Sequence, residues 1–473
     1  MRDLREFIEK SDKLGECKVI EGADWNLEIG AITEWQAKPN TPLLVFDKIK
    51  GYEPGYRVVT NLASTLKRLA LLLGLSGVEE PLDLVKGLRT KTQGGFKPVY
   101  PVEVKTGPVT ENVHRGKEIN LLEFPAPKWH EMDGGRYLGT GHEILTKDPD
   151  EGWVNLGTYR VMVHDKNTMG SYIAYGQHGF TIRQKYWDKG QACPAVFVTG
   201  HDPLLWLIST TRIPWGVSEY EYTGWLRGRP IEVIKAPLTG LPVPAAAEIV
   251  IEGEIPPPEV ETRMEGTFGE FTGYYAGGAR PEPVFRIKSI MHRNDPIILG
   301  TPEFRIKPLY YWGRNIIRAA ELWNQMEKIV PGIKGVWMME EAAMHLPVIS
   351  IKQQYAGHAT DTAVAAKAIT GMNNRYIIVV DDDIDPSNTS EVIWAVATRC
   401  EPAENIDVVR GSRVSRLDPR LTPEKRKSGD FTCSVALLNA CKPYSWINDF
   451  PLATRASPEL MTKTKKKWKG TLS

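Results

Sequence analysis

Asn155, Arg160, Gln177 and His178 stand in residues 153–180, WVNLGTYRVMVHDKNTMGSYIAYGQHGF, among apolar, β-branched and aromatic neighbours. A buried amide, imidazole or guanidinium is costly unless paired, so several of them along two strands suggest a lined cavity more than a packed core. A half-exposed hairpin with these groups in water explains the stretch taken alone. Downstream, Glu219 sits in Gly216-Val217-Ser218-Glu219-Tyr220, and Glu265 and Glu270 bracket Glu265-Gly266-Thr267-Phe268-Gly269-Glu270. Glycines relax the backbone of that loop enough to bring both carboxylates to one place. Asn155, His178 and Glu219 form an O, N, O donor set suited to Mn²⁺ or Mg²⁺ rather than to thiolate-bound zinc. Arg160 beside two carboxylates can keep one ionised while the other, crowded by like charge and burial, holds a proton near neutral pH. The chemistry on offer is an acid/base pair with an organiser. Carboxylates are common on surfaces, so spacing alone favours a structural role for these residues.

The elements that must position these groups can be read from periodicity. The two runs within 153–180, joined by the polar turn Asp165-Lys166-Asn167, predict a β-hairpin. From about 139 to 293 the pattern is mostly β, with strands expected at 173–175, 195–199, 231–235, 248–252 and 284–292, and a barrel or closed sheet as the natural assembly. Ahead of it, a helix over 2–16, a strand over 41–46 and a helix over 62–75 with Gly74 near its end make a small α/β region. The proline-bearing stretch 98–127 serves as the passage between the two. After Gly300 helices at 315–328, 360–369 and 390–397 alternate with strands at 348–352 and 376–380, the α/β signature. Asp381, Asp382, Asp383 and Asp385 follow the last of these strands, where ligands often bind in open α/β sheets. A Mg²⁺ site is the sharper reading, but helix capping and turn formation carry more weight. The basic run 463–469 reads as a solvated or subunit-contacting terminus ahead of an anion site.

A chain of 473 residues with 42% hydrophobic content is long enough for two or three cores. Lys plus Arg number 59 against 58 for Asp plus Glu, so no overall field favours nucleic acid or an anionic membrane, and a small molecule is the expected partner. The first residues, MRDLREFIEK, lack an apolar signal region, and no apolar run reaches the ~18 residues of a membrane span, so a cytoplasmic location is expected. Cys17, Cys193, Cys400, Cys433 and Cys441 lack CxxC spacing and read as reduced, packing thiols; Cys400 as a nucleophile has no base beside it.

Seven blocks in order, VNLGTYR (154–160), GQHG (176–179), SEYEYTGWLRG (218–228), VPAAAEIVIEG (243–253), EGTFGEFTGYY (265–275), KQQYAGHA (352–359) and VVDDDID (379–385), closely resemble the UbiD-like decarboxylases, which include the 3-polyprenyl-4-hydroxybenzoate and ferulic acid decarboxylases. The resemblance implies a mixed α/β (α+β) fold: an N-terminal α/β region (1–110), a central split β-barrel that binds the flavin (111–300) and a C-terminal α/β dimerisation domain (301–473). It implies prenylated FMN, made by a separate flavin prenyltransferase and held through its phosphate by a divalent metal (Mn²⁺ or Mg²⁺) and K⁺. Carried over by motif, Asn155, His178 and Glu219 are the metal ligands and Arg160, Glu265 and Glu270 the catalytic network. Thr158, Tyr159, Arg160, Gln177, His178 and Gly179 are cofactor contacts, and Arg375 matches a position near the potassium site. A homodimer or homohexamer is expected.

The function implied is a non-oxidative decarboxylase, able to run in either direction, that releases CO₂ from an aromatic acid of the benzoate or hydroxybenzoate type. The resemblance supports an aryl-acrylic acid less, because the ferulate-type enzymes carry a bulkier residue near Ala174; heteroaromatic acids and aromatic acyl-CoA carboxylates are further alternatives. Glu303, Arg305 and Lys307 are candidate substrate contacts, whereas Lys352 and His358 receive no role. A split-barrel flavin reductase would not need paired Glu265 and Glu270, and a non-catalytic flavin carrier would not need the whole set. Chemically, loss of CO₂ from an sp² carbon leaves a carbanion without an electron sink, so a cofactor must accept the electrons.

Overall fold

The computed structural model describes residues 1–473 except 39, 276, 306–309, 343–345, 373 and 473. Helix Leu4–Lys13 starts where the Asp3 side chain accepts from the Glu6 amide, and its spacing turns Leu4, Phe7 and Ser11 inward. Strands Cys17–Glu21, Leu43–Asp47 and Arg57–Thr60 form a small sheet that is completed by Ile297–Leu299, running parallel to Arg57–Thr60. Helix Leu66–Leu73 ends on Gly74, whose φ of 65° is the left-handed cap that glycine adopts without penalty.

Arg68 of this helix is fully buried and donates to the carbonyls of Asn61 and Thr41 and to Glu16. Arg68→Met keeps much of the volume but leaves those carbonyls without the guanidinium and Glu16 with the Thr65 hydroxyl in place of its buried cation. The expected cost is about 3–5 kcal/mol, read as a lower denaturation midpoint. An unfolding free energy within about 0.5 kcal/mol of wild type would show that water replaces the guanidinium there.

The central region is an antiparallel sheet in the order Thr168–Gly170, Arg280–His292, Ile249–Ile255, Cys193–Thr199, His142–Lys147 and Val154–Gly157, with Thr262–Glu265 and Asn112–Arg115 also pairing to Arg280–His292. Among the described residues this path has two ends and does not close on itself. The predicted strand at 173–175 is absent. Gly176, at φ 84°, turns the chain out of the extended region, and helix His178–Trp187 follows at once. The expected hairpin survives only as bridges between Arg160 and Tyr172 and between Val163 and Met169 around the 165–167 turn. Val154–Gly157 pairs instead with His142–Lys147.

In the C-terminal region, Ile333–Met338, Pro347–Ile351, Tyr376–Asp381, Thr432–Ala440 and Ile406–Arg413 form a mixed sheet. Tyr376–Asp381 lies inside it, parallel to both neighbours, which is why Ile377 to Val380 form an unbroken apolar run. Helices Tyr310–Met326, His358–Thr370 and Thr389–Arg399 accompany it. One apolar core runs from Leu4, Phe7 and Leu69 to Ile316, Trp323, Ile349 and Val379, so the N- and C-terminal regions share it, while the central sheet builds a second one around Phe197, Ile251 and Phe285.

The acidic run takes the structural role. Arg399 pairs with Asp381 and Asp383, Lys442 with Asp383, and Asp385 closes a turn onto Ser387. Burial raises the Asp383 carboxyl, but Arg399 and Lys442 outweigh it and hold the group down at about 2. Burial raises the Cys400 thiol, in keeping with a packing residue. Both ring nitrogens of buried His358 are engaged by backbone, at Pro331 O and the Gln354 amide, so its role is local structure. The basic run lies on the exposed helix Pro458–Leu472. Among the described residues no helix is long and apolar enough to cross a membrane.

Candidate active site

Asn155 lies on the strand Val154–Gly157 and Glu219 opens helix Glu219–Arg227. The fold brings them together: Asn155 Nδ2 donates to Glu219 Oε1 at 3.2 Å, and the Leu156 amide donates to Glu219 Oε2 at 2.7 Å. The Tyr159 hydroxyl donates to Asn155 Oδ1 at 2.9 Å and accepts from the Gly179 amide at 2.9 Å, which ties the start of the His178–Trp187 helix to the same cluster. A Cβ on Gly179 would meet the Tyr159 ring at 2.6 Å, so only glycine allows that approach. His178, the residue before it, packs edge-on against Trp153 and Trp215. Thr158 is half-buried, and Gln177 is exposed just ahead of the helix.

Arg160 leaves the other end of this segment and bridges the glutamate loop. Its Nε donates to Glu265 Oε1 and its Nη1 to Glu270 Oε1, each at 2.5 Å. The guanidinium also lies over the rings of Tyr172 and Phe268, 4.5 and 5.3 Å from their centroids. Burial, only partly offset by Arg160, pushes the Glu265 carboxyl up to about 7 and raises that of Glu270 as well. The buried carboxylates in turn raise Arg160 against the effect of its burial, so it stays charged. Two carboxyls sharing one fixed cation can hold and hand over a proton near neutrality.

Beyond Glu270 the chain meets the C-terminal region. Phe271 and Thr272 line a cavity of about 120 Å³ together with Arg375, Asp418 and Arg420. Arg375, ion-paired with Asp418, therefore faces the glutamate loop's flank, and no hydrogen bond or ion pair seen among the described residues joins it to Asn155 or Glu219. A second cleft, lined by Tyr172, Arg183, Arg280, Glu282 and Arg416, opens beside the ring that covers Arg160. Both lie where the central sheet and the C-terminal region meet. Glu303 is close enough to Glu270 to raise its carboxyl further, Arg305 is exposed, and Lys307 lies outside the described residues.

Residues 8–88, 101–305 and 312–435 match, in order, the N-terminal, Rift-related and C-terminal domain models of 3-octaprenyl-4-hydroxybenzoate carboxy-lyase, the UbiD models. The pyrrole-2-carboxylic acid decarboxylase of Pseudomonas aeruginosa is 33% identical over 448 residues, 90% of this chain and 89% of that protein. The chain belongs to the UbiD family. Among solved structures, the vanillic acid decarboxylase of Sedimentibacter hydroxybenzoicus in its open form superposes with a TM-score of 0.86 at 28% identity, covering 99% of each chain. The UbiD-class enzyme HmfF of Pelotomaculum thermopropionicum in complex with FMN gives 0.85 at 28% identity, covering 97% and 98%; an evolved dimeric form of it in complex with prFMN gives 0.82 at 27%, covering 98% of each.

The residues in this UbiD chain fit a cation at the Asn155 cluster. Among the described residues Glu219 is buried with only neutral hydrogen-bond donors, and burial pushes its carboxyl up to about 8. A buried carboxylate so placed is the partner that a divalent ion would supply with charge. Sequence reasoning missed the supports of the glutamate loop. The Gly269 amide donates to Asp133, the Tyr137 hydroxyl donates to the carbonyls of Gly266 and Thr267, and the Gly134 and Gly266 backbones cross so closely that a Cβ on Gly134 would come within 2.1 Å of the Gly266 Cα. The signal lay in His130-Glu131-Met132-Asp133-Gly134-Gly135, an acidic turn followed by paired glycines.

Proposed function

We propose that this protein decarboxylates an aromatic carboxylic acid non-oxidatively with prenylated FMN, and that Arg160, Glu265 and Glu270 carry the proton. The observation that supports it most is Arg160 holding two buried glutamates at 2.5 Å each, on the same chain segment as Asn155, which pairs with Glu219. Asn155, His178 and Glu219 would hold Mn²⁺ or Mg²⁺, which together with K⁺ would supply positive charge to the cofactor phosphate. Thr158, Tyr159, Gln177, His178 and Gly179 would contact the cofactor, and Arg375 would lie near the potassium ion. When bound, prenylated FMN supplies the electron sink for the carbon that loses CO₂. Arg160 fixes the two carboxyls in one orientation, and Glu270 delivers the proton that replaces CO₂. Closure of the central and C-terminal regions around the site excludes water.

Three units, 1–110, 111–300 as a split barrel and 301–473 as the oligomerisation domain, are the architecture we propose; the order of the three family matches supports it. Val408 and Val409 are exposed on the edge strand Ile406–Arg413, as are Leu460 and Met461 on the terminal helix, which supports a homodimer or homohexamer formed through the C-terminal region. The test of function is CO₂ release by cofactor-loaded protein from hydroxybenzoates, vanillate and pyrrole-2-carboxylate. NAD(P)H consumption without CO₂ release would replace the decarboxylase with a flavin reductase.

Two results are expected at the site. Glu219→Gln replaces a buried carboxyl that has no cationic partner with a neutral amide, so cofactor-free protein should melt no lower than wild type while bound manganese falls at least about 10-fold. Full manganese content would end its role as ligand. The carboxyl pair must keep a proton to act as acid, and burial places the Glu265 titration at about 7. kcat/KM should therefore fall as pH rises through about 7, and Glu265→Gln should move that limb; a profile flat from pH 6 to 9 would assign the proton to another group.

A further inference from the structure

A second cluster of metal-binding side chains lies on the central sheet and shares no residue with the site above. His114 is on strand Asn112–Arg115 and His292 ends strand Arg280–His292. The register pairs His114 with Ile290, so His292, two residues further along the partner strand, projects from the same face as His114. Glu123, at the end of the short 3-10 turn Leu121–Glu123, comes over that face, with its Oε1 3.2 Å from His114 Nδ1. One ligand atom from each of the three residues lies within 4.8 Å of the other two.

The polar atoms have few other partners. Among the described residues His292 Nε2 is buried with no hydrogen-bond partner, and His114 Nδ1 and Glu123 Oε1, both buried, have only each other. His292 is only 3% exposed. Its Nδ1 lies 2.8 Å from the Arg293 carbonyl, which can only accept, so the proton sits on Nδ1 and Nε2 is left with a bare lone pair. A backbone carbonyl behind one ring nitrogen is the arrangement that orients a metal-binding histidine. Phe124 packs edge-on against His292 and Tyr56 lies tilted beside it, so the imidazole is held in place.

We propose that His114, Glu123 and His292 bind a divalent first-row metal ion, Zn²⁺ foremost. Two imidazoles and a carboxylate are a donor set that Zn²⁺ accepts at about 2.0–2.2 Å, with water in the remaining position. The side chains of His114 and Glu123 are about a quarter exposed, so that position is reached from solvent and the ion exchanges. The ion fastens the passage 112–123 to the end of the strand that carries Arg280, next to the active site, at its other end.

The test is Zn²⁺ binding by EDTA-treated full-length protein, measured by calorimetry and metal analysis, with Co²⁺ as a visible-band probe of the coordination. Glu123→Gln removes a ligand at a half-buried position, and His292→Phe keeps a ring against Phe124. Each should weaken Zn²⁺ binding at this site at least about 10-fold, remove the Co²⁺ band and abolish the Zn²⁺-dependent rise in thermal midpoint. Glu219→Gln separates the two sites, since it should leave one Zn²⁺ equivalent and the Co²⁺ band in place. The proposal is overturned if Glu219→Gln protein takes up no Zn²⁺, or if either ligand variant binds it as wild type does.

Discussion

Arg160→Ala should abolish turnover and lower stability together. It removes the cation that Glu265 and Glu270 share at 2.5 Å and leaves two buried carboxyls facing each other. Breaking a buried pair by deleting one partner costs about 3–5 kcal/mol, because the remaining charge must be protonated or solvated. Cofactor content should fall too, since Arg160 also lies over Tyr172 beside the cleft. Two controls divide these effects. Arg160→Lys keeps the charge but lacks the planar fork that reaches both carboxylates, so it should recover stability more than turnover. In Arg160→Ala combined with Glu265→Gln and Glu270→Gln, the repulsion is gone, so the melting temperature should return toward wild type while CO₂ release stays at background. Turnover by Arg160→Ala within about 10-fold of wild type would remove the organiser from the mechanism.

Glu270→Gln separates chemistry from binding. The amide keeps an acceptor oxygen for Arg160 and the volume of the acid but has no proton to give, so turnover should fall about 10²- to 10⁴-fold with cofactor content unchanged. Deuterium exchange into the decarboxylated product, at the carbon that carried the carboxylate, reports the proton step without net CO₂ loss. Exchange by the variant at the wild-type rate would assign the acid to another group. Glu265, which burial also raises, is the first to examine then.

Much of the fold was legible because its strands declare themselves locally. The β-branched runs near 195–199 and 376–380 are strands, extended by only a residue or two beyond the pattern. The failure at 173–175 has the same local origin: Ile173, Ala174 and Tyr175 suit a strand, but Gly176 decides the path by taking a positive φ. The chemistry-bearing side chains were legible by type, since asparagine, arginine and glutamates among apolar neighbours need partners. What joins them was not. The Tyr159 hydroxyl links Asn155 to Gly179, yet in the sequence it is one aromatic residue among many. The junction of the N- and C-terminal regions likewise includes contacts such as Arg89 with Asn324, 235 residues apart, that no periodicity encodes.

Arg160 finds its two acids 105 and 110 residues further along the chain. On a ribosome adding roughly 5–20 residues per second, that separation is on the order of 5–20 s during which the guanidinium exists and its partners do not. Asn155 waits a shorter time for Glu219, 64 residues on. The cluster around Glu219 can thus assemble before the glutamate loop has been made, and the proton-transfer network is the later arrival. Contacts of such long sequence separation also form late in refolding, because loop closure must come before them. A nascent chain stopped short of residue 265 would hold the first half of the site and an uncompensated arginine, a state with every reason to remain open.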